Sequence, residues 1–219
     1  MIKGLIFDMD GTLVQNMPYH LKAFNETARR HGFKIVEPVT SRFFGMRNND
    51  IMPQVFAPGS LDGYDLDQLS DEKEAIYREL YAGNVRLTEG LDALLDDAVQ
   101  CGIKCAIGSA GSIENIEFIT REGGITDRID VIVCNTDVVN CKPDPEIFIK
   151  CCERLGFDPS ECVVFEDAVG GVQAAVAAGC PCVALTSTLD AEALSGAGAN
   201  LVVNDFKGIN IARLQELFG

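Results

Sequence analysis

Two aspartates, Asp8 and Asp10, stand two residues apart directly after an apolar run near the start of the chain. The run from Ile2 to Phe7 is short, apolar and bounded by a glycine turn, which is typical of a buried strand of a parallel sheet. Ligands of such sheets bind beyond the carboxyl ends of the strands. Two carboxylates this close repel each other, so they need a counter-charge, and a divalent cation with oxygen ligands provides one. The pair therefore predicts a site for a cation and an electrophile.

The spacing also has a simpler interpretation. An Asp-x-Asp-Gly turn opens calcium-binding loops, but the glutamate expected six residues past Gly11 is absent.

Later segments place further polar groups at predicted strand ends. Ser109 follows an apolar run and precedes small residues and a helix start, where backbone N–H groups can hold a phosphate oxygen, whereas Ser112 is expected to be the helix N-cap. Lys142 lies in a loop stiffened by two prolines, although a solvated surface lysine is the general alternative. Glu166 and Asp167 repeat the pattern of the first strand, and their alternative role is to cap the following helix through its dipole.

The elements that must position these residues follow two rhythms. Between Val14 and Asn84 the pattern is helical, with predicted helices at Pro18–His31, around Asn48–Phe56, broken by Pro53, and at Asp67–Ala82. From Leu91 onward helices and strands alternate, which implies a doubly wound parallel sheet. The predicted later strands are 104–107, 130–134, 162–165, 182–185 and 201–203, and the predicted later helices are 91–101, 112–122, 145–155, 168–178 and 209–217. We therefore expect an α/β core domain of residues 1–14 and 86–219 and an inserted all-helical cap domain of residues 15–85, with linkers near 14–17 and 83–87.

Composition limits the class of protein. The chain has 219 residues, 47% of them hydrophobic, and 33 acidic against 18 basic residues give a net charge of −15. This charge disfavours nucleic acid as a partner. Nine cysteines without small-domain spacing indicate reduced thiols and no zinc site. No apolar run approaches about 18 residues, so no membrane segment is expected, and the expectation is a cytoplasmic monomer.

The string DMDGTL at residues 8–13 resembles the first signature of the haloacid dehalogenase superfamily of phosphotransferases. The resemblance implies that Asp8 is the nucleophile and Asp10 the general acid/base. Ser109 matches the second signature, which binds the transferring phosphoryl group. The KPDP string at Lys142 resembles the third, where the lysine neutralises the nucleophile and the phosphoryl oxygens. The acids after the later strand resemble the fourth signature, so the resemblance implies a Mg²⁺ site formed by Asp8, Asp10, Glu166 and Asp167.

The inserted helices, the Tyr19-His20 pair, the KAF string and Gly45-Met46-Arg47 more narrowly resemble the β-phosphoglucomutase-like subfamily, which contains sugar-phosphate phosphatases and mutases. On this resemblance the expected substrate-binding residues are His20, Arg47, Asn48, Lys73, Ala110 and Gly111. His20 alternatively packs against the lid interface, and Lys73 alternatively lies on the surface of its helix. Arg47 stands one position before the mutase arginine, and Gly111 and Ser112 stand where mutases have serine and lysine.

The departures from the mutase pattern favour hydrolysis. We expect a Mg²⁺-dependent phosphatase that acts on a small phosphorylated metabolite, such as a sugar phosphate, through an aspartyl-phosphate. A dehalogenase expels halide without needing a proton, so Asp10 argues for phosphoryl transfer. A β-phosphoglucomutase-type phosphomutase is the main alternative, followed by an inorganic pyrophosphatase and a non-catalytic binding protein of the same fold.

Overall fold

The computed structural model describes residues 1–40, 43 and 46–219. In these residues the chain forms six strands and nine α-helices, numbered here in chain order. The strands are β1 Gly4–Phe7, β2 Lys104–Gly108, β3 Val131–Val133, β4 Cys162–Glu166, β5 Cys182–Leu185 and β6 Leu201–Val203. The helices are α1 Met17–His31, α2 Asn48–Val55, α3 Leu66–Tyr81, α4 Leu91–Gln100, α5 Ile113–Glu122, α6 Glu146–Leu155, α7 Val169–Ala178, α8 Ala191–Gly196 and α9 Ile211–Phe218.

The chain folds into two compact units, one of Met1–Gln15 and Arg86–Gly219 and one of Asn16–Val85. The first unit contains the sheet, whose strands are all parallel in the order β3-β2-β1-β4-β5-β6. The order runs outward in both directions from the centre, so a topological switch point lies between β1 and β4, where ligands of such sheets bind. The predicted α/β fold class, a doubly wound parallel sheet with inserted helices, is confirmed.

Side chains from β1 and β4 fill the centre of the sheet unit. Phe7 and Phe165 are adjacent in register and fully buried, and their rings stack with centroids 4.9 Å apart. On the other face, Ile6 and Val164 belong to a core that includes Phe148 of α6. Burying each of these side chains stabilises the fold by roughly 1.5–3 kcal/mol. Strands β1 and β4, which end at the predicted site, are therefore held by buried side chains on both faces of the sheet.

The helical unit has its own apolar core. Phe24 of α1, Met52 of α2 and Leu69 of α3 are buried together with Phe43 and Phe56. This core corrects the prediction that Pro53 breaks the second helix, since α2 continues through Pro53 to Val55. The proline removes a single intrahelical bond, and burial of the side chains around it holds the remaining turn.

The later elements lie within two residues of their predicted bounds, and β5 and β6 lie at them. The short helix α8, which the sequence analysis did not predict, is capped by Asp190, whose carboxylate accepts the Ala193 N–H. Among the helices that the structure describes, none combines the length and apolar character needed to cross a membrane.

Candidate active site

The ammonium group of Lys142 joins the carboxyl ends of three strands. Its Nζ lies 2.6 Å from Asp8 Oδ1 after β1, donates to the Gly108 carbonyl of β2 at 3.1 Å, and lies 2.6 Å from Glu166 Oε1 of β4. These groups meet because β1 pairs in register with both neighbouring strands. The bond between Lys142 and Asp8 thus joins residues that are 134 positions apart in the chain.

The loop before α6 holds Lys142 in place. The Glu146 carboxylate accepts the N–H groups of Val139 and Asn140 at 3.0 and 2.9 Å, and Asp144 Oδ1 accepts the Glu146 N–H. The ammonium group lies 4.8 Å from the centre of the buried Phe148 ring. The Lys142 side chain is only 10% exposed, so the general alternative of a solvated surface lysine does not apply.

Charge crowding sets the electrostatics of the site. Burial alone would lower the pKa of Lys142, but attraction to Asp8 and Glu166 outweighs burial and raises it. Burial raises the pKa of Asp8 well above its usual value, Lys142 opposes that rise, and the neighbouring acids add to it. Burial and then repulsion from Glu166 raise the pKa of Asp167 to about 7. One ammonium group therefore does not neutralise these carboxylates, and further positive charge is needed to keep Asp8 ionised.

Three of the acids could hold a divalent cation. Asp8, Glu166 and Asp167 are buried, and each offers a carboxylate oxygen within 4.8 Å of the others. Carboxylate oxygens are hard donors of the kind that Mg²⁺ and Ca²⁺ take. Excess buried negative charge and the donor type both fit Mg²⁺, so the residues present suit the metal that the sequence predicts. Among the described residues this group does not include Asp10, whose ligation of Mg²⁺ stays a prediction.

Glu166 has a second task besides facing the cation site. Its Oε1 accepts from Lys142, and its Oε2 accepts the backbone N–H groups of Asp167 and Ala168 at 2.9 and 3.1 Å. Both N–H groups precede α7, whose N-terminus has no side-chain cap bond, so this acid holds the turn before the helix rather than capping the helix. A Cβ on Gly171 would overlap the Glu166 carboxylate, so the glycine in the first turn of α7 gives that carboxylate its room.

The turn after β1 places Asp10. Gly11 has φ +87°, a conformation that favours glycine, and its N–H donates to the Val14 carbonyl at 2.8 Å. Asp10 is half-buried, whereas Asp8 is 8% exposed. Asp10 still lies near enough to raise the pKa of both Asp8 and Asp167. This position is consistent with the predicted role of a proton carrier at the site edge.

The segment after β2 forms a small loop at the same edge of the sheet. Ser109 is 1% exposed, and its Oγ accepts the Gly111 N–H at 3.1 Å, while Ala110 and Gly111 are half-buried. Ser112 caps α5 by accepting the Asn115 N–H at 3.4 Å, which confirms its predicted N-cap role. The loop follows Gly108, whose carbonyl binds Lys142, so it begins next to the charged cluster.

In the helical unit, three of the predicted substrate-binding residues form a polar cluster. Lys73 Nζ lies 2.8 Å from His20 Nδ1 and 2.8 Å from Glu74 Oε1, and Asn48 Nδ2 donates to Glu74 Oε1 at 2.6 Å. The His20 ring also stacks on Tyr77 with centroids 3.9 Å apart. The alternative that Lys73 lies on the helix surface is wrong, because its side chain is 2% exposed.

The resemblance to the β-phosphoglucomutase-like subfamily also rests on Gly45-Met46-Arg47. Arg47 precedes α2 and is exposed. Gly45 lies outside the described residues.

Sequence reasoning missed two hydroxyl residues and one acid. Ser187 and Thr188 follow β5 and contact Gly11 and Asp167. Their position directly after a strand of the same sheet was the available signal. Glu74, the partner of Lys73, carried no signal of its own because charged residues are common along helix α3.

Comparisons with known proteins agree with this geometry. A family model described as haloacid dehalogenase-like hydrolase matches residues 2–179. The chain is 34% identical over 198 residues to validoxylamine A 7'-phosphate phosphatase of Streptomyces hygroscopicus subsp. limoneus, covering 90% of this chain and 92% of that protein. It is 32% identical over 178 residues to fructose-1-phosphate phosphatase YqaB of Escherichia coli, covering 80% of this chain and 92% of that protein.

A solved structure supports the same relationship. The crystal structure of β-phosphoglucomutase from Clostridium difficile superposes with a TM-score of 0.84 at 26% identity, covering 100% of this chain and 97% of that one. The family model spans most of the chain, and it includes the strands that carry Asp8, Lys142 and Asp167 at their ends or in the following loops. The chain therefore belongs to the haloacid dehalogenase-like hydrolases.

Proposed function

We propose that the protein is a Mg²⁺-dependent phosphatase that hydrolyses a small phosphate monoester, with sugar phosphates as the substrate class. The observation that carries the proposal is the buried contact of Lys142 Nζ with Asp8 Oδ1 and Glu166 Oε1, each at 2.6 Å. A carboxylate paired with an ammonium group and crowded by further acids is suited to attack on phosphorus only when its charge is offset. The phosphatases among the relatives support the reaction type.

In the proposed reaction, Asp8 attacks phosphorus and forms an aspartyl-phosphate as the bond from phosphorus to the ester oxygen breaks. Asp10 gives its proton to that oxygen, so the alcohol leaves neutral. Asp10 then takes a proton from water, and the hydroxide formed attacks phosphorus. Inorganic phosphate leaves, and Asp8 returns as a carboxylate. The half-buried position of Asp10 supports this proton transfer, because the group stays accessible to water.

The remaining residues offset charge. Lys142 stays protonated, since its pKa is raised, and it would stabilise both Asp8 and the phosphoryl oxygens. Ser109 and the backbone N–H groups of Ala110 and Gly111 are the proposed donors to the phosphoryl group. Bound by Asp8, Glu166 and Asp167, with Asp10 as a further proposed ligand, Mg²⁺ would supply positive charge that favours the ionised nucleophile.

The substrate class rests on the relatives rather than on the site. Fructose-1-phosphate phosphatase is a relative whose name states a sugar phosphate, which supports a phosphorylated sugar here. His20, Arg47, Asn48 and Lys73 remain the proposed substrate-binding residues of the helical unit. The pairing of Lys73 with Glu74 supports a site for neutral hydroxyl groups over one for a second phosphate, because the charge of the lysine is already balanced.

A phosphomutase is the second candidate, favoured by the structural match to β-phosphoglucomutase. The two reactions differ in whether water or a sugar hydroxyl receives the phosphoryl group from Asp8. Incubation of β-glucose 1-phosphate with its bisphosphate activator separates them. Rapid isomerisation with negligible phosphate release would replace the phosphatase proposal by the mutase.

The proposed function is tested by measuring phosphate release from a panel of sugar phosphates, an aryl phosphate and pyrophosphate, with and without Mg²⁺. We expect Mg²⁺-dependent release, fastest with a sugar phosphate, and loss of at least about 1,000-fold in Asp8→Asn with the fold retained. Release from pyrophosphate alone would assign a different substrate. Unchanged activity in Asp8→Asn would remove the proposed nucleophile, and no turnover in the wild type would indicate a binding protein.

A further inference from the structure

Two hydroxyl groups after β5 contact both sides of the acidic site. Thr188 Oγ1 donates a hydrogen bond to Asp167 Oδ2. Ser187 Oγ donates to the Gly11 carbonyl at 2.6 Å and lies 3.5 Å from the same Asp167 oxygen. The loop after β5 therefore reaches one of the three clustered acids and the turn that follows Asp10.

Gly11, Asp167 and Thr188 are packed closely against one another. A Cβ on Gly11 would overlap the Asp167 carboxylate and lie 3.0 Å from Thr188 Oγ1. The left-handed backbone of Gly11, at φ +87°, is thus packed directly against the bonded carboxylate. Displacing Thr188 would free both the carboxylate and the turn to move.

We infer that Thr188 and Ser187 are positioning residues that hold Asp167 and the Gly11 turn in the arrangement that binds the divalent cation; this inference rests on the proposed Mg²⁺ dependence. A hydroxyl has one hydrogen to donate. Thr188 donates its hydrogen to Asp167 Oδ2, and neither hydroxyl group donates to Oδ1. Ser187 gives its hydrogen to the nearer acceptor, the Gly11 carbonyl.

The physical reason is preorganisation. A carboxylate on a short side chain rotates about its last bond, and a divalent cation must fix that rotation when it binds. A hydrogen bond that fixes it beforehand removes part of this cost. Loss of such a partner to a metal ligand typically lowers metal affinity about 10- to 100-fold.

Thr186 provides a matched control in the same loop. Its Oγ1 donates to Asn204 Oδ1 at 2.8 Å. Thr→Val replaces a hydroxyl by a methyl group of similar volume at either position. Thr186→Val therefore removes one hydroxyl bond from the loop without touching Asp167 or Gly11.

The test is a titration of the full chain with Mg²⁺ alone, without substrate. Isothermal titration calorimetry measures the Kd. We expect Thr188→Val to raise the Kd for Mg²⁺ about 10- to 100-fold. Thr188→Ser, which keeps the hydroxyl, should return the Kd close to the wild-type value. Thr186→Val should leave it unchanged. Ser187→Ala should also raise the Kd, and it tests the inference even where Thr188→Val fails to fold, as judged by circular dichroism.

The possible failures are distinguishable. Absence of Mg²⁺ binding in the wild type would overturn the metal-dependent function itself. Normal binding in the wild type, with the same Kd in folded Thr188→Val and Ser187→Ala, would overturn the positioning role and leave the proposed function intact. An equal rise in Thr186→Val would show that loop stability, rather than the contact with Asp167, sets the affinity, and would likewise overturn it.

Discussion

At the scale of single residues, two adjacent glycines of α7 have opposite expected effects on substitution. A Cβ on Gly171 would overlap the Glu166 carboxylate, whereas a Cβ on Gly170 meets nothing nearer than 3.9 Å. Alanine is the better helix former at both positions by up to about 1 kcal/mol. Gly170→Ala should therefore raise the free energy of unfolding without changing activity.

Gly171→Ala must move the Glu166 carboxylate. That carboxylate is one of the two that bind the Lys142 ammonium group. We expect a loss of at least about tenfold in kcat/KM, smaller than the roughly 100- to 1,000-fold cost of removing a charge-stabilising group outright, because Glu166 is displaced and not removed. Urea unfolding and phosphate-release kinetics on both variants provide the measurement. Equal activity in the two variants would mean that the position of Glu166 does not matter for turnover.

At the scale of elements, helix α3 carries a buried charge pair, Lys73 and Glu74, and His20 of α1 lies beside it. Burial would raise the pKa of Glu74, but Lys73 and His20 outweigh burial and lower it to about 2. Glu74 is thus ionised at neutral pH, and Lys73 provides the positive charge that balances it. Lys73→Met should leave that charge without its ammonium partner and cost about 3–5 kcal/mol.

The double variant Lys73→Met with Glu74→Gln should be more stable than Lys73→Met alone, because no buried charge remains without its counter-ion. Arg30→Met is the control, since Arg30 is an exposed cation of the same unit. This substitution should lower the free energy of unfolding by less than about 1 kcal/mol. All four tyrosines lie within residues 19–81 and the chain has no tryptophan. Tyrosine fluorescence during urea unfolding therefore reports on this unit, and equal costs for the two single variants would contradict the prediction.

The arrangement of strands and helices explains which features the sequence could predict and which it could not. The strand ends were predictable because an apolar run followed by acids, as at Phe7-Asp8 and Phe165-Glu166, is a local pattern, and parallel pairing brings such ends together. The position of Thr188 after β5 was a signal that it lies near the site, but neither its bond to Asp167 nor that of Lys73 to His20 was predictable, since no local pattern specifies these side-chain partners. The continuity of α2 through Pro53 depended likewise on burial by distant aromatic residues.

At the scale of the whole molecule, the excess of buried negative charge links stability to pH and to metal. The pKa of Asp167 is about 7 in the folded protein, against 3.8 for the ordinary group, because burial and Glu166 disfavour its charge. The folded state therefore holds this proton where the unfolded chain has lost it. By linkage, Asp167 destabilises the metal-free protein progressively as pH rises from about 4 to 7, and the effect is constant above that range.

In the proposed function Mg²⁺ binds the ionised carboxylate, so its stabilising effect should have the opposite pH dependence and grow as Asp167 loses its proton. At a Mg²⁺ concentration 100-fold above the Kd measured at pH 8, the melting temperature should rise by roughly 5–10 °C at pH 8. The same concentration should raise it much less at pH 5.5, where protons compete for the site. Thermal unfolding at both pH values, with KCl at equal ionic strength as the control, measures the difference. In Asp167→Asn the rise in melting temperature caused by Mg²⁺ should be small at both pH values. The substitution removes the competing proton and the charge that attracts the cation together.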